Sequence, residues 1–269
     1  MCYDILIVGG GPAGLSAAIN GRVRGKTVLL LSSPMEDSPL WKAERVENYL
    51  GLPGVTGAEL LTAFRRHAEA SGAEIRELRA LSAMPVGDRW YLSGEDQVFE
   101  GRALILAAGA VRGKPLPGEE RLLGRGVSYC ATCDGMLYRG RNVVVLGWTG
   151  SAEREADFLR GIGCAVRYYD RPQGVEILGE EAVTGVRVNG REEAADAVFL
   201  LRPAVAPAAL LPGLAIENGS VTVDRQMATN LPGVFAAGDC TGAPYQVAKA
   251  VGEGLIAGQS AAKWADRQG

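Results

Sequence analysis

The chain has 269 residues, of which 47% are hydrophobic and 22% are charged, and this composition predicts a folded protein of one or two domains rather than a disordered one. Its 28 Lys and Arg residues against 31 Asp and Glu residues give a net charge of −3. This balance argues against a broad basic surface, so we expect neither nucleic acid nor a membrane surface as a partner.

Hydropathy and cysteine usage indicate a cytoplasmic setting. No apolar stretch approaches the roughly 20 residues of a membrane helix, and no basic segment precedes the first apolar run, so we expect neither an anchor nor a signal peptide. Only Cys130 and Cys133 of the five cysteines are closely spaced, which does not suggest a disulfide framework. With His67 as the one histidine, mechanisms that need several histidines are nearly excluded.

The first element is a short apolar strand followed by a glycine-rich turn. Residues 3–8 are mostly apolar, Gly9-Gly10-Gly11-Pro12-Ala13-Gly14 follows, and a helical pattern and a second strand at 27–31 come next. This order is typical of a Rossmann unit. Gly9 permits the turn, Gly11 lets a pyrophosphate approach the backbone, and Gly14 lets helix and strand pack closely. We therefore predict a dinucleotide here, with its phosphates at the helix N-terminus.

The second strand ends at Ser32, where many Rossmann units carry an acidic residue for the adenosine ribose; the serine hydroxyl can bond a ribose hydroxyl instead. Thr56 and Glu59 form a capping-box pattern that predicts a helix through Ala70. His67 lies on this helix without a recognisable chemical partner nearby, so we expect a partly exposed histidine with no catalytic role.

Further strand-and-turn patterns follow. A strand at 104–106 runs into a small-residue turn at 107–110, and Pro115 and Pro117 mark a linker. A second Rossmann-like unit is predicted from a strand at 142–146, a turn at 147–152, a helix at 152–163 and a strand at 164–169. Near the end, a strand finishing on Gly238-Asp239 precedes a helix from about residue 246 to 264.

Cys130-Ala131-Thr132-Cys133 is a C-x-x-C motif followed directly by Asp134. Two thiols at this spacing can close a disulfide, in which one thiolate attacks a partner disulfide and the other resolves the mixed intermediate. Asp134 can exchange the proton that a leaving thiol needs. Zinc is the weaker interpretation, because zinc prefers four ligands and the chain offers no second cysteine pair.

A redox dithiol beside a dinucleotide site is the pairing expected of a flavin disulfide reductase, and several segments carry a more specific likeness. They are GGGPAG at 9–14, ENYLGLPG at 47–54, AAGA at 107–110, YCATCDG at 129–135, GVFAAGDCTG at 233–242 and QVAKAVGEG at 246–254. In these segments, which span nearly the whole chain, the sequence resembles the low-molecular-weight thioredoxin reductase family.

The resemblance implies an α/β fold of two Rossmann-like domains, the smaller inserted in the larger. The first and last segments, 1–112 and 204–269, would form an FAD domain, and the inserted domain at 113–203 would carry the C-x-x-C motif and a second nucleotide site. The resemblance also implies a homodimer. The residues implied to hold a non-covalent FAD are Gly9, Gly11, Pro12, Ala13, Gly14, Ser32, Asn48, Gly109, Gly238, Asp239, Gln246 and Val247.

The family's chemistry carries over to the residues that match its motifs. Cys133 would face the flavin, Cys130 would attack the disulfide of a thioredoxin-like protein, and Asp134 would supply the proton. Asp239 would bond the ribityl chain, and the backbone at Gln246 and Val247 would face the N1/O2 edge of the flavin, where negative charge develops on reduction. Cys240 is interpreted as a small buried residue.

The inserted segment departs from the family pattern. Members that use NADPH carry a G-G-G-D-S-A-like loop, whereas this chain has Gly147-Trp148-Thr149-Gly150-Ser151-Ala152. The family's H-R-R, which grips the 2′-phosphate, is replaced by Asp170-Arg171-Pro172, and the helix and long arm that follow it have no room here. These changes predict a degenerate NADPH site, whose occupant (NADH, a second flavin or nothing) the sequence leaves open.

The C-terminal QVAKAVGEG segment also resembles that of ferredoxin-dependent flavin thioredoxin reductases, so we expect ferredoxin as a possible electron donor. Three alternatives stay open. A divergent loop could still bind NADPH or NADH, with Asp170 reading an NADH ribose. The dithiol could run backwards in a dithiol oxidase that uses oxygen, or the chain could be a flavin-bound redox sensor.

Overall fold

The computed structural model describes residues 2–94, 97–109, 115–129, 131–148, 150, 152–202 and 207–268, with only the backbone of Thr132 and Cys133. The described residues of 1–111 and 204–269 form one compact unit, unit 1, and those of 112–203 form a second, unit 2.

The strands are β1 Cys2–Val8, β2 Val28–Ser32, β3 Glu74–Glu77, β4 Ala80–Val86, β5 Arg89–Gly94, β6 Gln97–Leu106, β7 Val127–Ser128, β8 Asn142–Gly147, β9 Ala165–Asp170, β10 Val175–Leu178, β11 Gly185–Val188, β12 Arg191–Ala194, β13 Ala197–Leu201, β14 Ile216–Glu217, β15 Ser220–Val221 and β16 Val234–Ala236. The helices are α1 Pro12–Val23, α2 Gly57–Ala70, α3 Glu119–Leu122, α4 Ala131–Asp134, α5 Ala152–Gly161, α6 Pro207–Leu210 and α7 Val247–Arg267. Short 3₁₀ turns lie at Met35–Asp37, Gly135–Tyr138 and Asp239–Thr241.

Unit 1 is built on a parallel sheet in the order β3-β2-β1-β6, with β16 beside the C-terminal half of β6. Residues 5–8 of β1 are fully or almost fully buried, because side chains cover both faces of the strand. The first half of β6 pairs with β5 where the second half pairs with β16. β5 pairs in turn with β4, so β4, β5 and β6 form an antiparallel meander. Strands β3, β4 and β5 were not predicted from the sequence, because their exposed faces are polar or irregular in pattern.

Helices α1 and α7 pack side by side on the sheet, and small residues let them approach closely. A Cβ on Gly254 would lie 2.2 Å from the carbonyl oxygen of Ala13, and one on Gly258 would lie 2.6 Å from that of Ala17. The two helices are parallel, and the first turn of α1 lies beside Gly254, seven residues after the first residue of α7. Helix α2 begins with the predicted capping box between Thr56 and Glu59, which is confirmed.

Unit 2 contains a parallel sheet in the order β7-β13-β8-β9, and α5 connects β8 to β9. The buried residues Ala152, Ala156 and Leu159 form the apolar face of α5. Strands β10, β11 and β12 form a separate antiparallel sheet in the segment where the sequence left no room for a further helix. The predicted α/β fold with Rossmann-like units is confirmed. Among the described residues, no helix is both long and apolar enough to cross a membrane.

Candidate functional site

Unit 1 places the predicted glycine turn at the carboxyl end of its central strand. β1 ends at Val8 and α1 begins at Pro12, with Gly11 as its N-cap residue. Gly9 has a φ of +108°, and a Cβ there would lie 2.2 Å from the carbonyl oxygen of Ala107. Both the backbone conformation and the approach of the next strand therefore require glycine at this position.

The other two glycines of the motif have opposite surroundings. A Cβ on Gly14 would lie 1.9 Å from the carbonyl oxygen of Gly9, so α1 packs directly on the turn. A Cβ on Gly11 would meet no atom of the described residues within 4 Å. This open side of the turn lies at the start of α1, where the first N–H groups lack intrahelical partners and carry partial positive charge. The turn therefore fits a phosphate group.

Two other predicted cofactor residues, Gly238 and Ser32, lie against the same turn. Gly238 lies against Ala13, because a Cβ on Gly238 would be 2.8 Å from the Cβ of Ala13. Ser32 is buried beneath the turn, where its Oγ donates a hydrogen bond of 2.6 Å to the carbonyl of Ser33. Gly109 has a φ of +74°, and in the part of the chain that the structure describes no atom lies within 4 Å of its Cβ position.

Asn48 and Gln246 meet although 198 positions separate them. The Nδ2 of Asn48 donates to the Oε1 of Gln246 at 2.7 Å. Gln246 is the N-cap residue of α7, Val247 is its first residue, and no side chain caps the helix. The contact joins the loop around residue 48 to the start of α7.

Asp239 lies in a tight loop at Gly238–Gly242, four residues before α7, and is half-buried. Gly238 has a φ of +86° and Gly242 a φ of +102°. The loop is tied to α7 through Lys249, whose Nζ donates to the carbonyls of Gly238 and Gly242 at 2.8 and 2.7 Å. Lys249 was not predicted as a site residue, because a lysine near a helix start looks like an ordinary solvated residue in the sequence.

Glu253 completes this attachment from one helical turn further along. Its Oε2 accepts hydrogen bonds from the backbone N–H of Gly238 at 2.8 Å and from the hydroxyl of Thr241 at 2.9 Å. It also pairs with the Nζ of Lys249 at 3.1 Å. The charged side chains of Lys249 and Glu253 therefore both end on the loop that contains Asp239.

Cys240 belongs to the same loop and is buried, with 4% of its surface exposed. Burial raises the pKa of its thiol to about 12. Its Sγ lies 3.3 Å from the carbonyl oxygen of Ala237 and 3.4 Å from that of Leu106. A neutral thiol packed in this way is a poor nucleophile.

In unit 2, Asp134 ends the short helix α4 and accepts a hydrogen bond of 2.7 Å from the hydroxyl of the buried Ser128. Cys130 lies outside the described residues. The backbone of Cys133 belongs to α4, and its side chain also lies outside what the structure describes. The motif's acid is thus fixed by a residue that precedes the first cysteine by two positions.

Tyr129, the neighbour of Cys130, is held by a buried carboxylate. Glu119 is 3% exposed and accepts from the Tyr129 hydroxyl at 2.9 Å and from the backbone N–H of Leu116 at 2.7 Å. Arg202 donates to both of its carboxylate oxygens at 2.8 Å. Burial and the charge of Glu119 raise the pKa of Tyr129 well above its usual range, so this side chain is a phenol at neutral pH.

The second glycine turn follows β8 and is bordered by large side chains. The Arg202 guanidinium lies 5.3 Å from the centre of the Trp148 ring, and that ring packs against the unit 2 core. A Cβ on Gly147 would lie 2.8 Å from the ring of Tyr168, whose hydroxyl is 3.5 Å from a carboxylate oxygen of Asp170. Thr149 and Ser151 lie outside the described residues.

His67 is exposed on α2, as predicted. In the part of the chain that the structure describes, no group of three or more His, Cys, Asp or Glu residues could hold a metal ion.

Comparison with known proteins gives a consistent family. Residues 3–186 and 171–254 match the family model of pyridine nucleotide-disulphide oxidoreductases. A thioredoxin reductase of Listeria innocua is 31% identical over 98% of this chain and 94% of its own length.

Two solved structures are also similar. A ferredoxin-flavin thioredoxin reductase from Clostridium acetobutylicum has a TM-score of 0.88 and 39% identity, covering 100% of this chain and 99% of the other. A thioredoxin reductase from Gloeobacter violaceus has a TM-score of 0.83 and 30% identity, covering 99% and 95%.

Proposed function

Because the chain belongs to the pyridine nucleotide-disulphide oxidoreductase family, among the thioredoxin reductases, we propose that it is an FAD-dependent reductase of a thioredoxin-like disulfide that takes electrons from ferredoxin rather than NADPH. The observation that carries the proposal is a contrast between two turns. The turn of unit 1 is open at Gly11, whereas the turn of unit 2 has Thr149 at the corresponding position of its sequence, and the ring of the preceding Trp148 lies against the Arg202 guanidinium.

A parallel α/β sheet binds nucleotides outside the carboxyl ends of its strands, where glycines let the pyrophosphate touch the backbone. In unit 2, β8 and β13 end at Gly147 and Leu201, and the Trp148–Arg202 stack lies directly after them. Arg202 is also committed to Glu119 through two hydrogen bonds, so its charge is already compensated. These contacts support the loss of an NADPH site.

The residues of unit 1 fit FAD. Gly9, Gly11 and Gly14 would hold the pyrophosphate at the start of α1, and Asp239 would bond the ribityl chain. The N–H groups at the start of α7 would face the edge of the isoalloxazine that gains negative charge on reduction. Bound FAD supplies the exchange between one-electron and two-electron transfer that single-electron donors require.

We assign disulfide exchange to the C-x-x-C motif. Two electrons and two protons convert the Cys130–Cys133 disulfide to two thiols. The Cys130 thiolate then attacks the partner disulfide, and Cys133 attacks the mixed disulfide to release a partner dithiol. Asp134, held by Ser128, delivers and removes the proton at the leaving sulfur.

Ferredoxin is supported as the donor by the likeness to the ferredoxin-flavin enzyme of Clostridium acetobutylicum and by the driving force. Ferredoxins have reduction potentials of about −400 mV and thioredoxin of about −270 mV, so the transfer of two electrons from ferredoxin to thioredoxin is favourable.

An anaerobic absorbance titration tests the donor. We expect reduced ferredoxin to bleach the flavin band of the purified protein, and NADPH and NADH to leave it largely unchanged over the same time. Rapid bleaching by NADPH would contradict the proposed donor.

NADH is the second candidate donor, and one observation favours it. Asp170 ends β9 and pairs in register with Gly147 of β8. An acid at the end of this strand binds the ribose in NAD-dependent Rossmann units. Bleaching by NADH alone would support it. Oxygen uptake with added dithiols would instead support a dithiol oxidase.

A further inference from the structure

Helix α7 of unit 1 carries a cation where helices disfavour one. Lys249 is the third residue of α7, near the positive end of the helix dipole, and its side chain is only 15% exposed. Partial burial removes some of the hydration of the ammonium group, which adds a second cost. Both costs are offset here by bonds to three oxygen atoms of one loop, the carbonyls of Gly238 and Gly242 and the hydroxyl of Thr241.

Glu253 balances this cation within the same network. Its side chain is 19% exposed and lies 3.1 Å from the Nζ of Lys249. It also binds the backbone N–H of Gly238. The backbone N–H of Gly238 donates to Glu253, and the carbonyl of Gly238 accepts from Lys249, so two oppositely charged side chains of α7 bind the same residue. These bonds fix the loop that contains Asp239 at the start of α7.

We infer that Lys249 and Glu253 are positioning residues that act as a charge-balanced pair: together they fix this loop, and each charge cancels the effect of the other on the reduction potential of the flavin. The inference rests on the proposed function, which puts the N1/O2 edge of the flavin at the backbone of Gln246 and Val247. Lys249 follows Val247 by two residues, so either charge, left unbalanced, acts within the Debye length of about 10 Å.

The pair predicts shifts of opposite sign when each charge is removed alone. Glu253→Gln leaves an unbalanced cation, which favours the negative charge gained on reduction and raises the midpoint potential of the flavin. Lys249→Met leaves an unbalanced anion and lowers that potential. The double variant returns close to the original value, and Lys249→Arg keeps it.

The measurement is the midpoint potential of the bound flavin, obtained by anaerobic equilibration of the holoprotein with a reference dye. We expect each single variant to change the equilibrium constant for reduction at least tenfold, which is about 30 mV for a two-electron couple. Lys249→Gln, which keeps a hydrogen-bond donor, replaces Lys249→Met if the latter does not retain flavin.

Lys263→Met is the matched control, since it removes the same charge from an exposed position of α7. Fourteen residues at about 1.5 Å each place Lys263 about 21 Å beyond Lys249, so its removal leaves the potential unchanged. The inference about Lys249 and Glu253 would be overturned, without affecting the proposed function, if the two single variants shifted the potential in the same direction or changed the equilibrium constant by less than tenfold. A wild-type protein that takes up no FAD would overturn the proposed function as well.

Discussion

Arg202 grips Glu119 with two hydrogen bonds of 2.8 Å, one to each carboxylate oxygen, although 83 positions separate the two residues. Glu119 is almost completely buried and also holds the hydroxyl of Tyr129. Through this carboxylate, the last strand of unit 2 is connected to the residue that precedes the C-x-x-C motif.

The Glu119–Arg202 pair predicts a stability effect. Arg202→Met leaves a buried carboxylate without its cation, and we expect the free energy of unfolding to fall by about 3 kcal/mol. Denaturant unfolding followed by circular dichroism measures it. Asp157→Asn breaks the exposed Arg160–Asp157 pair and serves as the control, with a change of less than about 1 kcal/mol. Equal effects of the two variants would contradict the assignment.

We expect the protein to lose stability at alkaline pH because of Tyr129. Burial and the nearby Glu119 carboxylate raise its pKa in the folded state, so the folded protein holds the proton more tightly than the unfolded chain. The contribution of the Tyr129 proton to the free energy of unfolding is complete below about pH 10, the ordinary pKa of tyrosine, and is lost as the pH rises above that value. Urea midpoints between pH 8 and 11 should therefore fall more steeply for the wild type than for Tyr129→Phe. Parallel profiles would count against this account.

Substitutions at two glycines of the first turn should affect different properties: one the stability of the fold and the other the binding of the cofactor. Gly14→Ala places a methyl group 1.9 Å from the carbonyl oxygen of Gly9, and we expect at least about 1–3 kcal/mol of destabilisation. Gly11→Val points into open space and leaves apoprotein stability within about 0.5 kcal/mol, while the FAD content of the purified protein falls at least tenfold. The 450 nm to 280 nm absorbance ratio gives that content. Full FAD occupancy in Gly11→Val would disprove the phosphate assignment.

The cysteines differ in reactivity. Cys240 is buried with a pKa of about 12, whereas Cys2 is exposed. Iodoacetamide at pH 8, followed by peptide mass spectrometry, should label Cys2 and leave Cys240 unmodified until the chain is unfolded. Labelling of Cys240 in the folded protein at the rate of Cys2 would show that the loop opens.

The first turn and helix α2 could be predicted from sequence because their signals are local. Gly9, Gly11 and Gly14 lie within six residues, and Thr56 and Glu59 within four. Each residue of these motifs is required by the conformation or the hydrogen bonding of the backbone next to it. The helix bounds shifted by only a few residues, with α7 running on to Arg267 rather than ending near 264.

The charged networks could not be predicted in this way. Lys249 and Glu253 look like an ordinary helical pair at i and i+4 until the fold brings Gly238 to them. Arg202 and Glu119 carry no sequence signal of their contact, because their pairing depends on tertiary structure. The strand β4 was missed for a related reason: its side chains pass from buried at Ala80 to exposed at Val86, which blurs the alternation.

The most direct test of the proposed function is the formation of thiols in oxidised thioredoxin by the intact protein under anaerobic conditions, with one electron donor at a time. With reduced ferredoxin, the account predicts two new thioredoxin thiols for every two ferredoxins oxidised, and none with Cys133→Ser. With NADPH or NADH it predicts no thiols above background. Turnover with NADPH at a rate equal to that with ferredoxin, or no thiols with ferredoxin, would contradict it.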